Sequence, residues 1–95
     1  PEFIASQREL YTRRRQALSS QIQSLEAMLR LTRQELDMNL PLVDSGDVSR
    51  SEVLRMQRQT SDLQGQINTR RSEYLAELQT EYAKTEEELA SATEQ

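Results

Sequence analysis

Two long stretches free of helix breakers, joined by one short segment that holds both a Pro and a Gly, leave this chain few folds to choose from. It has two Pro and two Gly residues; Pro41 and Gly46 fall together near the middle, Gly65 stands alone and Pro1 is terminal. Leu, Glu, Gln and Arg are the commonest residues of the remainder, and all are good helix formers. Only 35% of the residues are hydrophobic, with no Trp and a single Phe. That composition cannot fill a globular core, so it predicts long, thin helices packed along one stripe each.

The stripe of the first helix is read by stepping alternately three and four residues. Ile4, Arg8, Tyr11, Arg15, Leu18, Ile22, Leu25, Leu29, Thr32, Leu36, Asn39 and Val43 form one mostly apolar seam. A flanking row of Leu10, Ala17, Met28, Leu31, Met38 and Leu42 is either a broadened core or a lateral contact with another hairpin. Leu40 precedes Pro41 and is pushed away from helical backbone angles, so the first helix is expected to end there.

The helix restart is the clearest local signal. Ser49-Arg50-Ser51-Glu52 is a capping box, in which the Ser49 hydroxyl accepts from the Glu52 amide and the Glu52 carboxylate reaches back to the Ser49 amide. Val48 and Val53 stand at the flanking staple positions. The second seam is read as Val53, Met56, Thr60, Leu63, Ile67, Arg71, Leu75, Leu78, Tyr82, Thr85, Leu89 and Ala92. An extra four-residue step near Arg71 predicts local unwinding of the supercoil.

The two seams fit each other as an antiparallel pair, because residue numbers that face one another keep a nearly constant sum. Leu36 then meets Met56, Leu29 meets Leu63, Leu25 meets Ile67, and Thr32 meets Thr60. Further down, Tyr11 is set against Tyr82 and Ile4 against Leu89. The expected fold is all-α: an antiparallel two-helix coiled-coil hairpin with helices over 4–40 and 49–93 and a tip over 41–48. Pro1-Glu2-Phe3 reads as a cloning remnant, which would make 4–95 a fragment of a longer chain. A single continuous helix pairing in parallel with a second chain is disfavoured by Pro41, the turn residues and the restart at Ser49.

Composition also excludes functions. There is no His and no Cys, hence no disulfide, no thiol nucleophile and no ordinary zinc site. No Ser or Asp has a positioned base and no Gly-rich phosphate loop exists, so neither enzymatic activity nor a cofactor is expected. Asp44 and Asp47 read as solvated turn acids rather than a cation site. No run is long and apolar enough to cross a bilayer. The net charge of −4 is uneven: Arg13-Arg14-Arg15 lies in the first helix, and six Glu against Lys84 alone occupy residues 75–95. An antiparallel hairpin brings those segments together at its base, where they pair. Nucleic acid is therefore not an expected partner, and an RNA-binding helical arm like that of seryl-tRNA synthetase is disfavoured. Gly65 either permits a close approach or is tolerated, and Leu42 and Val43 leave an apolar point on a polar rod.

The stretch from Leu42 to Glu52 resembles the hairpin tip of periplasmic adaptors, or membrane fusion proteins, of the HlyD type. Such adaptors often carry Arg-x3-Leu-x6-Ser across the tip; here Leu42 and Ser49 keep the spacing and Met38 stands at the Arg position. Ser49 to Gln59 followed by Asp62 to Ile67, together with Tyr11 to Leu18, is similar to the adaptors of type I protein secretion. The resemblance implies a hairpin that crosses the periplasm of a Gram-negative cell and belongs to a longer protein anchored in the inner membrane. It implies self-association, commonly as a hexamer, and partners in an inner-membrane ABC transporter (through other domains) and a TolC-like outer-membrane channel. Met38, Leu42, Val43, Gly46 and Ser49 are then the channel-binding tip, and the cargo is a large protein such as a toxin or adhesin. A drug-efflux adaptor and a generic coiled-coil dimerisation or spacer element are the alternative expectations.

Overall fold

A computed structural model describes residues 2–94. Two helices, α1 (Glu2–Asp44) and α2 (Arg50–Glu94), run antiparallel and make one rod of 75 × 17 × 14 Å. At ~1.5 Å per residue each helix spans nearly the whole of that length. Among the described residues there is no strand, and no helix is long and apolar enough to cross a membrane.

The upper seam forms as the heptad spacing requires. Leu29, Leu63 and Ile67 make the buried cluster, with Leu25 packed against it, and Ile67 is the most enclosed at 1% exposure. Thr32 is buried one step above and Thr60 half-buried. Their hydroxyls do not pair across the interface. Thr32 Oγ1 donates to the Met28 carbonyl and Thr60 Oγ1 to the Met56 carbonyl, both at 2.9 Å, so each polar group is satisfied on its own helix.

Below Ile67 the structure departs from the expected seam. Leu75, Tyr82 and Leu89 are 58%, 66% and 63% exposed, and Arg71 and Ala92 are exposed too. Arg70, Tyr74, Glu77, Glu81 and Glu88 are half-buried instead, with Leu78 and Thr85 shared by both readings. The steps of three and four therefore run unbroken from Val53 to Glu81, with no extra step at Arg71. Tyr11 does not meet a buried Tyr82, nor Ile4 a buried Leu89. The physical reason lies on α1, whose lower seam contains Arg8 and Arg15. A leucine set against a guanidinium would desolvate a charge without compensating it. Glutamates pair it: Arg15 Nε lies 2.6 Å from Glu81 Oε2 and Arg8 Nη2 lies 3.2 Å from Glu88 Oε2.

Three further points differ from expectation. First, α1 does not stop at Leu40 but continues through Pro41 to Asp44. Pro41 removes only the bond to the Asp37 carbonyl, and Asp37 is exposed, so water can take that acceptor. Second, the flanking row of Leu10, Ala17, Met28, Leu31, Met38 and Leu42 is exposed throughout and does not broaden the core. Third, Gly65 permits no close approach, because a Cβ built there meets nothing within 4 Å.

Two substitutions separate the observed register from the expected one. Ile67→Ala should lower the unfolding free energy by about 2–5 kcal/mol, whereas Leu75→Ala should change it by less than about 0.5 kcal/mol. Urea titration followed by circular dichroism measures both, and equal losses would mean that Leu75 is packed. Gly65→Ala should raise stability by up to about 1 kcal/mol, since helix propensity improves with no steric cost. A lower midpoint for that variant would show that the open space is occupied.

Candidate docking site at the hairpin tip

What ends α1 is Gly46, at φ +82°. Its left-handed backbone, easy for Gly and strained for other residues, turns the chain back on the last helical turn. The Gly46 amide then donates to the Val43 carbonyl at 3.1 Å and the Asp47 amide to the Leu42 carbonyl at 3.0 Å. This is a Schellman closure, and the Val48 amide adds a second bond to the same Leu42 carbonyl at 3.2 Å. Ser45 Oγ sits 3.0 Å from the Leu42 carbonyl and 2.7 Å from Asp47 Oδ2. These bonds tie the carbonyls of the last turn to the residues that follow.

The start of α2 is capped from the other side. The Glu52 amide donates to Ser49 Oγ at 3.2 Å, and the Val53 amide to the Ser49 carbonyl at 3.3 Å. Only this half of the capping box forms; the Glu52 carboxylate makes no bond to the Ser49 amide. Val53 is buried and Val48 half-buried, as a hydrophobic staple requires. Ser49 therefore has a structural role that needs no partner.

Around this stiff turn the expected site residues divide by exposure. Met38 is 69% exposed and Leu42 39%, so both are open to a partner. Leu42 belongs to the last turn of α1 rather than to the loop. Val43 is half-buried and Gly46 is exposed. Two residues that sequence reasoning missed form a separate apolar patch. Leu40 and Leu54 are exposed and, with Val43, Asp44, Arg50 and Val53, line an apolar hollow on one side of the tip. The signal for Leu40 was hidden by the expectation that the helix fails there. Leu54 is offset by one residue from the seam, a position normally polar.

No metal-binding group of His, Cys, Asp or Glu occurs among the described residues, and Asp47 is engaged with Ser45. No family model, curated protein or solved structure matches this chain. The tip is thus defined by its own geometry alone. It consists of exposed apolar side chains on a turn whose backbone groups are largely bonded to one another.

The base carries the charged counterpart. Besides Arg15–Glu81 and Arg8–Glu88, Arg14 Nη1 lies 3.8 Å from Glu77 Oε1, Arg71 pairs with Glu26 at 2.6 Å, and Arg13 with Glu9 at 2.6 Å. The hydrogen bond that Arg15 Nη2 donates to Glu81 Oε1 raises the Arg15 guanidinium above its ordinary range, against a smaller opposing effect of burial. The Arg13-Arg14-Arg15 run is thereby neutralised within the chain.

The two caps of the turn should be separable. Ser49→Ala should destabilise the hairpin by about 0.5–2 kcal/mol, and Gly46→Ala by about 1–2 kcal/mol because its backbone is left-handed. Ser49→Asp, also a good cap, should restore most of the loss. Thermal unfolding of the three variants tests this, and an unchanged midpoint for Gly46→Ala would mean the turn can relax to another form.

Proposed function

We propose that this hairpin is the periplasmic adaptor element of a type I secretion system, docking end-on through its tip against a TolC-like outer-membrane channel. One observation carries the reading: the rod ends in exposed apolar side chains, Leu42 on one side of the last turn of α1 and Leu40 with Leu54 on another, held by a doubly capped turn. Exposed apolar groups at the closed end of an elongated molecule suit an axial contact, although others lie along the shaft and at the base. The spacing of Leu42 and Ser49, with its resemblance to HlyD-type adaptors, supports the identity of the partner. Met38 in place of the family's tip arginine favours protein secretion over drug efflux. The longer protein would reach an inner-membrane ABC transporter through other domains and assemble as a hexamer.

A generic coiled-coil spacer or dimerisation element is the second reading, and it is favoured by the exposed rows along the shaft, such as Leu10, Met28 and Leu31 on α1. The two readings part at the tip. Because Leu42 lies in the last helical turn, an acidic substitution would oppose the helix dipole, whereas Leu42→Lys suits it and keeps the hairpin folded. In the docked state that ammonium would be desolvated without a partner, at a cost of several kcal/mol. Secretion by the full-length protein carrying Leu42→Lys should therefore fall at least tenfold, with expression and transporter assembly unchanged. Ser61→Lys on the shaft should leave secretion intact. Normal secretion with Leu42→Lys would remove the tip as the docking point and favour the spacer.

A further inference from the structure

We infer that the lower half of α2 is a two-register element, able to turn about its axis and exchange an ionic seam for an apolar one. In the observed register Glu77, Glu81 and Glu88 face α1 while Leu75, Tyr82 and Leu89 point outward. Those three residues recur every seven positions, the spacing of a seam, and each directly follows a seam residue or its neighbour. A turn of about 100°, one residue position, would bring the whole row against α1. Leu75 would then stand level with Leu18, Tyr82 with Tyr11, and Leu89 with Ile4.

Three observations make the observed register one of two near alternatives rather than a fixed one. The ionic seam is imperfect: Arg15 Nε, Glu77 Oε2 and Glu81 Oε2 are buried without a hydrogen-bond partner. Arg15 Nη2 donates to Glu81 Oε1 at 3.2 Å, but the closer approach of Nε to Glu81 Oε2, at 2.6 Å, lacks hydrogen-bond alignment. Second, three large apolar side chains stay in water, a loss that the other register would recover. Third, nothing fully enclosed holds α2 below the mid-shaft patch: among the described residues Ile67 is the last buried apolar side chain of that helix. Leu78 and Thr85 are half-buried now and belong to both seams, so they guide the turn without leaving the interface.

Charge on the glutamates sets the balance. With Glu77, Glu81 and Glu88 ionised, Arg8, Arg14 and Arg15 hold them inward. Removing those charges leaves the arginines free to extend to water along their apolar stems, and the leucine row moves in. The inference stands apart from what the tip binds, because it concerns only the shaft.

A single-tyrosine reporter tests it. With Tyr11→Phe and Tyr74→Phe, the remaining emission comes from Tyr82. In that background Tyr82 should be quenched by acrylamide at close to the rate for free tyrosine. Adding Glu77→Gln, Glu81→Gln and Glu88→Gln should slow quenching at least threefold with helical circular dichroism unchanged. A disulfide between Leu18→Cys and Leu75→Cys should form within the chain in the glutamine background (tyrosines intact) and not in its absence. Tyr82 that stays open to acrylamide overturns the inference, whether the base keeps its helicity or frays. If the glutamine variant does not fold, the reporter chain carrying its native glutamates in high salt gives the same comparison. Screening of the ion pairs should then protect Tyr82, and unchanged quenching would overturn the inference equally.

Discussion

The dry contact of Leu29, Leu63 and Ile67 is what the rest of the rod depends on. Two helices side by side have a single interface, so each residue on that line has neighbours on one side only. Side chains there must be large, apolar and in register to exclude water. Only mid-shaft do both helices supply such residues at the same level. This patch fixes the rotation of α1 and of the upper half of α2, and those segments carry it outward. Above it, Val53 is brought under the turn; below it, Arg8 and Arg15 are brought to face α2.

Tip and base are therefore held by different physics. Above the patch, apolar packing and backbone capping close the hairpin, and the stabilising groups are either buried or bonded to the main chain. Below it, exposed and half-exposed ion pairs take over, each contributing about 0–1 kcal/mol and screened by salt. The sequence marks this division by placing its arginine run and its acidic stretch at opposite ends of the chain. Folding then joins those ends, and most of the strong local charge cancels within the molecule.

How far the sequence could be read depended on whether local signals and tertiary demands agreed. The hairpin, the upper seam and the Ser49 cap were legible because spacing, capping chemistry and burial all point the same way there. Pro41 misled because its steric rule is local, while the Schellman bonds from Gly46, Asp47 and Val48 act on the whole last turn. The lower seam misled for the opposite reason. Its leucines and Tyr82 have the spacing of a core, yet what faces them is set by arginines on the other helix. At the tip, Leu42 was visible as an exposed apolar residue, and Met38 only through its place in the family spacing. Leu40 and Leu54 were not, since their surface arises only where the helix ends come together.

The rod's proportions, 75 Å long and 17 × 14 Å across, make it a lever. A lever amplifies: a small tilt where the helices are rooted becomes a sweep of many ångströms at the far end, and a small force there becomes a large torque at the root. The doubly capped turn contributes almost no bending of its own, so the position of the tip is decided by how firmly the two roots are gripped. Aim, for such a molecule, is a property of its foundations.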